Sequence, residues 1–223
     1  MWGGTDEAQS TSTIRSALDH GINVIDTAPV YGFGVSETRL GLAIKSLPRA
    51  DIVISSKIGY DLVPIPPEEL KPALWDQPGS FRAEFDYFLL AGRYTLLEQE
   101  PLATLLPLCE QRGTRIIIGG PYNSGILATG AVKGATFNTR PAPEPVLERV
   151  RRIEAVCLSH KVSLPAAALQ FPLGHPLVSS VIPGARSAEE LKQNLAYLRE
   201  DIPPALWADL KREGLVEAGA PSP

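Results

Sequence analysis

TSTIRSALDHGINVIDTAPVYGFGVSETRLGLAIKSLPRADIVISSK, residues 11–57, alternates two helical patterns with two strand patterns. Ile14, Ala17 and Leu18 recur at helical spacing, and Gly21 supplies the stop that a helix C-terminus favours. Ile22–Thr27 is short, β-branched and polar at its end, the signature of a strand. Gly32 and Gly34 mark the loop that follows, and Ser36 is the expected N-cap of a second helix with Leu40, Ala43, Ile44 and Leu47 as its apolar stripe. Asp51–Lys57 is a second strand with a continuous apolar centre, as in parallel sheets covered on both faces. Strand–helix–strand order with apolar strands predicts an α/β protein built on right-handed parallel crossovers.

Downstream the alternation breaks and then resumes. Residues 60–84 carry Pro64, Pro66, Pro67, Pro72 and Pro78, which read as a loop with at most a short helix near 68–75. Strands are expected at Phe85–Ala91, Arg115–Gly120 and Val178–Ile182, making five in all. Helices are expected at Pro101–Gln111 (stopped by Gly113), Pro145–Ser159, Ser163–Gln170 and Ala188–Leu198, with a terminal one bearing Trp207 and Leu210. Residues 218–223 read as a frayed tail.

Composition limits the alternatives. The chain has 223 residues, 44% of them hydrophobic and 21% charged, which suits one domain over 1–223 that folds without disulfide or metal. A net charge of −4 argues against nucleic-acid binding. No run approaches the roughly 18 apolar residues of a membrane span, and the N-terminus lacks a signal peptide's basic start. Cys109 and Cys157 are expected as core thiols in a reduced, cytoplasmic setting. His20, His160 and His175 show no ligand spacing with them, so no metal site is expected. Gly32-Phe33-Gly34 lacks the third glycine of a dinucleotide fingerprint, and Glu148–Arg152 reads as a solvated helix face.

The chemistry gathers at strand ends. Asp26 ends the first strand, Tyr31 lies in the loop after it, and Lys57 ends the second, so neighbouring strands would bring all three to one rim. An ammonium beside a phenol favours the phenolate, and an aspartate beside the lysine holds it charged and oriented. Such a trio can move a proton to or from a carbonyl or alcohol oxygen. Each residue also has a plainer reading: a turn-capping Asp26, an exposed loop Tyr31 and a solvated Lys57.

Asp26-Thr27-Ala28-Pro29-Val30-Tyr31-Gly32, Ser36-Glu37 and Ser55-Ser56-Lys57-Ile58-Gly59 resemble the aldo-keto reductases, (β/α)8 TIM-barrel oxidoreductases that use nicotinamide cofactors. Residues 89–97, 119–127, 167–173 and 180–187 are similar to the branch that oxidises sugars at C1, the L-fucose or D-threo-aldose 1-dehydrogenases. The resemblance implies Tyr31 as general acid/base, Lys57 as its pKa-lowering partner and Asp26 as the lysine's ion-pair partner. It implies Tyr94 as the aromatic that stacks on the nicotinamide, although a buried core tyrosine fits the pattern too. Ser124, Gly125 and Leu127 match the pyrophosphate loop, and Ile182, Gly184, Arg186, Ser187, Glu190 and Asn194 match the adenosine end. Either NAD or NADP is implied. Glu190 stands where NADP-preferring members place a basic residue, and its carboxylate would repel a 2′-phosphate, which favours NAD; Arg186 nearby offers a phosphate contact.

The same resemblance exposes what is missing. The family histidine after the fourth strand has no match, and residues 58–84 are too few for two strands with their helices, since one βαβ unit takes about 30 residues. The first strand has no counterpart either. The five strands then correspond to the second, third, sixth, seventh and eighth of an incomplete barrel with flanking helices. The expected function is NAD(P)-dependent hydride transfer on a sugar or other small carbonyl/alcohol pair. The rival is an inactive barrel remnant that binds nucleotide or partners. A small-molecule substrate is expected, and self-association through unpaired strand edges would follow from the missing strands.

Overall fold

The computed structural model describes residues 6–28, 31–32, 34–56 and 87–223. Lys57 and the Pro-rich segment 60–84, with its expected short helix, lie outside the described residues. The elements run α1 (Glu7–Asp19), β1 (Val24–Asp26), α2 (Val35–Ile44), β2 (Val53–Ser55), β3 (Tyr87–Ala91), α3 (Leu105–Arg112), β4 (Arg115–Gly119) and α4 (Ile126–Thr129). They continue with β5 (Thr136–Phe137), β6 (Arg140–Pro141), α5 (Glu144–Ser159), α6 (Leu164–Gln170), β7 (Val178–Ile182), α7 (Ala188–Arg199) and α8 (Pro204–Arg212). All five expected strands are present as β1, β2, β3, β4 and β7. Among the described residues they form a parallel pair, β1–β2, and a parallel three-stranded sheet in the order β3–β4–β7. That is an incomplete barrel sheet. No helix among the described residues is long and apolar enough to cross a membrane.

Contacts divide the chain into two compact units, residues 4–84 with 186–188, and residues 85–185 with 189–223 and 1–3. In the first, Asp6 caps α1 by accepting from the Gln9 amide, so the helix begins before the expected Thr11. Its C-terminus ends in a Schellman motif: Ile22 N–H bonds Ala17 O and Gly21 N–H bonds Leu18 O, with Gly21 at φ 81°. Helix α2 starts two residues earlier than expected. Gly34 (φ 89°) is its N-cap, and the Ser36 hydroxyl instead pairs with Thr27 Oγ1 at 2.9 Å. The described core here is small: Ala17, Ala28, Leu40, Ala43 and Ile52.

The second unit holds the larger core. Val150, Ile153, Val156 and Cys157 form the buried stripe of α5, and Leu206, Trp207 and Leu210 that of α8. Cys109 and Cys157 are buried free thiols, and burial pushes the Cys157 thiol up to about 12. Gly113 closes α3 in the left-handed region as expected, and Ser163 caps α6 by accepting from Ala166 N–H. Glu200 in turn accepts from both the amide and the hydroxyl of Ser163, each at 2.6 Å.

Three expectations change. Strand β2 is not covered on both faces: Val53 is exposed at 54%, and Ile54 and Ser55 are only partly buried. Residues 218–223 are docked, not frayed. Glu217 N–H donates to Gln99 Oε1 at 2.8 Å, Ala220 is buried, and a Cβ on Gly174 would meet the Ser222 backbone at 2.5 Å. Within Glu148–Arg152, Arg149 leaves the solvated face; its guanidinium donates to the carbonyls of Leu97 and Leu215, and desolvation lowers its pKa. Arg151 does stay on the surface, paired with Glu144 and Glu148.

Helices α5 and α8 are joined by His160, whose Nε2 lies 2.8 Å from Asp209 Oδ2, with Arg212 on the other oxygen. The His160 hydrogen bond, then that of Arg212, holds the Asp209 carboxyl below its ordinary range. A depressed carboxylate pKa contributes stability that is present above the unfolded value and lost as pH falls through the folded one. Asp209→Asn should therefore lower Tm at pH 7, and the difference from wild type should close on titration toward pH 3. A difference that stays constant with pH would exclude this linkage.

Candidate active site

At the carboxyl ends of β1 and β2, Asp26 and Ser55 are paired in register, and Ser55 Oγ donates to Asp26 Oδ1 at 2.7 Å. Thr27 N–H bonds Ser55 O at 2.8 Å, and Ser56 Oγ donates to Glu37 Oε1 at 2.7 Å. Tyr31 sits in the turn between β1 and α2, with its amide on Ala28 O and its carbonyl accepting from Ser36 N–H. It is 46% exposed. Asp26, Tyr31 and the Ser55–Ser56 rim thus share one end of the parallel pair.

A second carboxyl rim follows β3, β4 and β7. Gly92 comes after β3, residues 120–125 after β4 and residues 183–185 after β7. Gly92 N–H bonds Gly119 O at 2.7 Å, and Asn123 Nδ2 donates to Gly92 O at 3.1 Å. Asn123, Ser124 and Gly125 take φ values of 46°, 61° and 99° in succession, a rare run that only one glycine relieves. The β5–β6 hairpin supports it: Thr139 N–H donates to Ser124 Oγ at 2.9 Å, and Thr136 Oγ1 to Ser124 O at 3.0 Å. Ser124 thereby keeps its hydroxyl proton for a further acceptor. Asn194, buried on α7, accepts from Tyr122 OH at 2.8 Å and donates to Gly184 O at 3.3 Å.

The family model described as "Aldo/keto reductase family" matches residues 1–77 and 75–212. This chain belongs to the aldo/keto reductase family, a family of oxidoreductases. The two matched pieces meet within the Pro-rich segment. D-threo-aldose 1-dehydrogenase of Pseudomonas sp is 29% identical over 293 positions, covering 93% of this chain and 88% of that protein. Pyridoxal 4-dehydrogenase of Microbacterium luteolum is 27% identical over 312 positions, covering 97% and 91%. Since 293 aligned positions exceed the 223 residues of this chain, at least 70 positions of the first relative have no counterpart here. The aldo-keto reductase AKR11C1 from Bacillus halodurans (holo form) shares the fold at a TM-score of 0.70, with 18% identity, 97% of this chain and 90% of that one.

In this aldo/keto reductase the expected site residues fall unevenly. Asp26 and Tyr31 lie at the β1 end, and Lys57 lies outside the described residues. Ser124 and Gly125 lie on the loop after β4, with Leu127 buried in α4. Ile182 ends β7, Gly184 follows it, Arg186 and Ser187 precede α7, and Glu190 and Asn194 lie on it. Of the two readings of Tyr94, the structure shows the buried core one. The Thr95 hydroxyl accepts from the Leu97 and Glu98 amides, and Gln99 Nε2 donates to the Thr95 and Leu96 carbonyls, folding this turn back into the core. The Tyr94 ring, fully buried, packs on Phe171 at 5.3 Å and edge-on to His175 at 5.6 Å, and burial raises its pKa. It presents no open face for stacking.

A nicotinamide nucleotide is the group the family implies. At the second rim the residues fit its phosphate and adenosine end: a Cβ added at Gly125 or Gly184 would meet nothing within 4 Å, so both backbones stand open. Asn123 Oδ1 is a buried acceptor with no hydrogen-bond partner among the described residues, which leaves it ready for a donor. Ser55 and Tyr122 were not expected at the site; both act through side-chain bonds between separate strands or loops, which leave no periodic trace in sequence.

Proposed function

We propose that this chain is an NAD(P)-dependent oxidoreductase acting on a sugar, in the manner of an aldose 1-dehydrogenase, or on another small carbonyl/alcohol pair. The observation that carries the reading is the β1 rim, where Asp26 is held by Ser55 and Tyr31 stands half in solvent in the turn that follows β1. When bound, the nucleotide supplies or accepts the hydride. Tyr31 moves the proton at the substrate oxygen, Lys57 favours its phenolate, and Asp26 orients the lysine. Ser124, Gly125, Gly184, Arg186, Ser187 and Asn194 hold the nucleotide, with Ser124 donating its free hydroxyl proton. Glu190 favours NAD. The names of the two relatives extend the substrate class to sugar aldehydes and pyridoxal.

One set of observations favours a second reading, a nucleotide-binding protein without turnover. The family histidine has no match, at least 70 positions of the sugar dehydrogenase are absent, and Tyr94 is turned into the core. Protein fluorescence titrated with NADH and NADPH, then absorbance at the nicotinamide band with L-fucose, D-arabinose or pyridoxal, separates the two. Tighter binding of NADH with turnover of one substrate is expected. Binding without turnover supports the second reading, and absence of binding overturns both.

A further inference from the structure

We propose that Tyr122 is a positioning residue for the nucleotide site, holding Asn194 and the segment after β7 against the loop after β4. The inference rests on the nucleotide reading above. Tyr122 stands in the loop that follows β4, where its carbonyl accepts from the Gly125 and Leu127 amides at 3.0 and 3.1 Å. Its backbone therefore shapes the Asn123–Gly125 turn, while its side chain reaches another part of the chain.

The direction of each bond is fixed by chemistry. Gly184 O can accept but not donate, so the Asn194 atom facing it at 3.3 Å is the amide nitrogen. Asn194 Oδ1 then faces Tyr122 OH at 2.8 Å, and the phenol must be the donor. Burial, with Tyr197 as a lesser cause, raises the Tyr122 pKa, so the phenol keeps its proton across the physiological range. One relay thus joins three segments at adjacent carboxyl ends: the β4 loop, Gly184 after β7, and α7. Asn194 is buried at 8% exposure, so losing the phenol would leave its carbonyl unsatisfied and free the carboxamide to turn. Both Gly125 and Gly184, the two open backbones of the rim, are tied to Tyr122, the first directly and the second through Asn194.

Tyr122→Phe keeps the ring and deletes the donor. The Kd for the better-bound nucleotide, read by fluorescence, should rise about tenfold, roughly 1.4 kcal/mol, and the loss should appear in the nucleotide KM rather than in kcat. Without nucleotide, hydrogen exchange at amides 189–194 should quicken while α5 is unchanged. Asn194→Ala should weaken binding too, and adding Tyr122→Phe to it should cost nothing further if the phenol acts through Asn194. Binding by Tyr122→Phe within twofold of wild type, or exchange that quickens equally in α5, overturns the positioning role. Wild type that binds neither nucleotide overturns the nucleotide reading itself, and with it the purpose assigned to Tyr122.

Discussion

Tyr31→Phe is expected to lower kcat by about a thousandfold while leaving nucleotide Kd within about twofold of wild type. Positioned acid–base groups contribute about 10²–10⁴-fold, and a thousandfold is roughly 4 kcal/mol of barrier. The substitution removes one oxygen. The turn it sits in is held by main-chain bonds, Tyr31 N–H to Ala28 O at 3.0 Å and Ser36 N–H to Tyr31 O at 3.2 Å, which phenylalanine keeps. Tyr31 is 46% exposed, so no cavity opens in the core either. Folding should therefore be unaffected, and the loss should be one of proton transfer. The nucleotide residues are assigned to the loops after β4 and β7, on other segments of the chain, which is why binding and turnover should separate. If Tyr31→Phe weakens nucleotide binding as much as turnover, the acid/base role is lost. If it changes neither, some other group moves the proton.

What could be read from sequence here was local. The Gly21 and Gly113 stops and the terminal helix carrying Trp207 and Leu210 are decided within one or two turns of chain, and all appear where expected. The five parallel strands are short runs, four of them β-branched and β3 aromatic and leucine-rich, equally local. What escaped depends on long-range partners. Tyr94 carries the same motif whether it faces a ligand or the core; Gln99 and Thr95 decide by folding the turn inward. Arg149 is drawn off the solvated face by the carbonyls of Leu97 and Leu215, 52 and 66 residues away in sequence. The β5–β6 hairpin turns on Asn138 and Thr139 at φ 49° and 64°, with no glycine to announce it. At the candidate site the β1 end was legible from Asp26 and Tyr31 alone, but the Ser55 bond and the Tyr122–Asn194 relay cross 29 and 72 residues.

Phe171→Ala should be the most damaging single core substitution, lowering stability by about 3–5 kcal/mol. Phe171 is fully buried where α6 passes into the turn that leads to β7. Its ring lies between those of Tyr94 and Trp207, at centroid distances of 5.3 and 6.2 Å and tilts of 37° and 41°. Truncation removes the middle ring of three, so the transfer loss adds to a cavity and to aromatic pair energies of about 0.5–1.5 kcal/mol each. Neighbouring elements cannot easily close the gap. Gly174, three residues on, is already in contact with the Ser222 backbone, and Trp207 is fixed on α8 between Leu206 and Leu210, both fully buried. Native domains are stable by about 5–15 kcal/mol, so a loss of this size takes a large share of the total. Urea unfolding should show a lower midpoint at an unchanged slope, the sign of a destabilised native state rather than an altered denatured one. Below the new transition, where the folded fraction still dominates, nucleotide affinity should match wild type, because Ser124, Gly125 and Gly184 lie on the loops after β4 and β7. A stability loss under about 1 kcal/mol would mean that Tyr94 and Trp207 can close on each other, and that the three rings are not the rigid centre their packing describes.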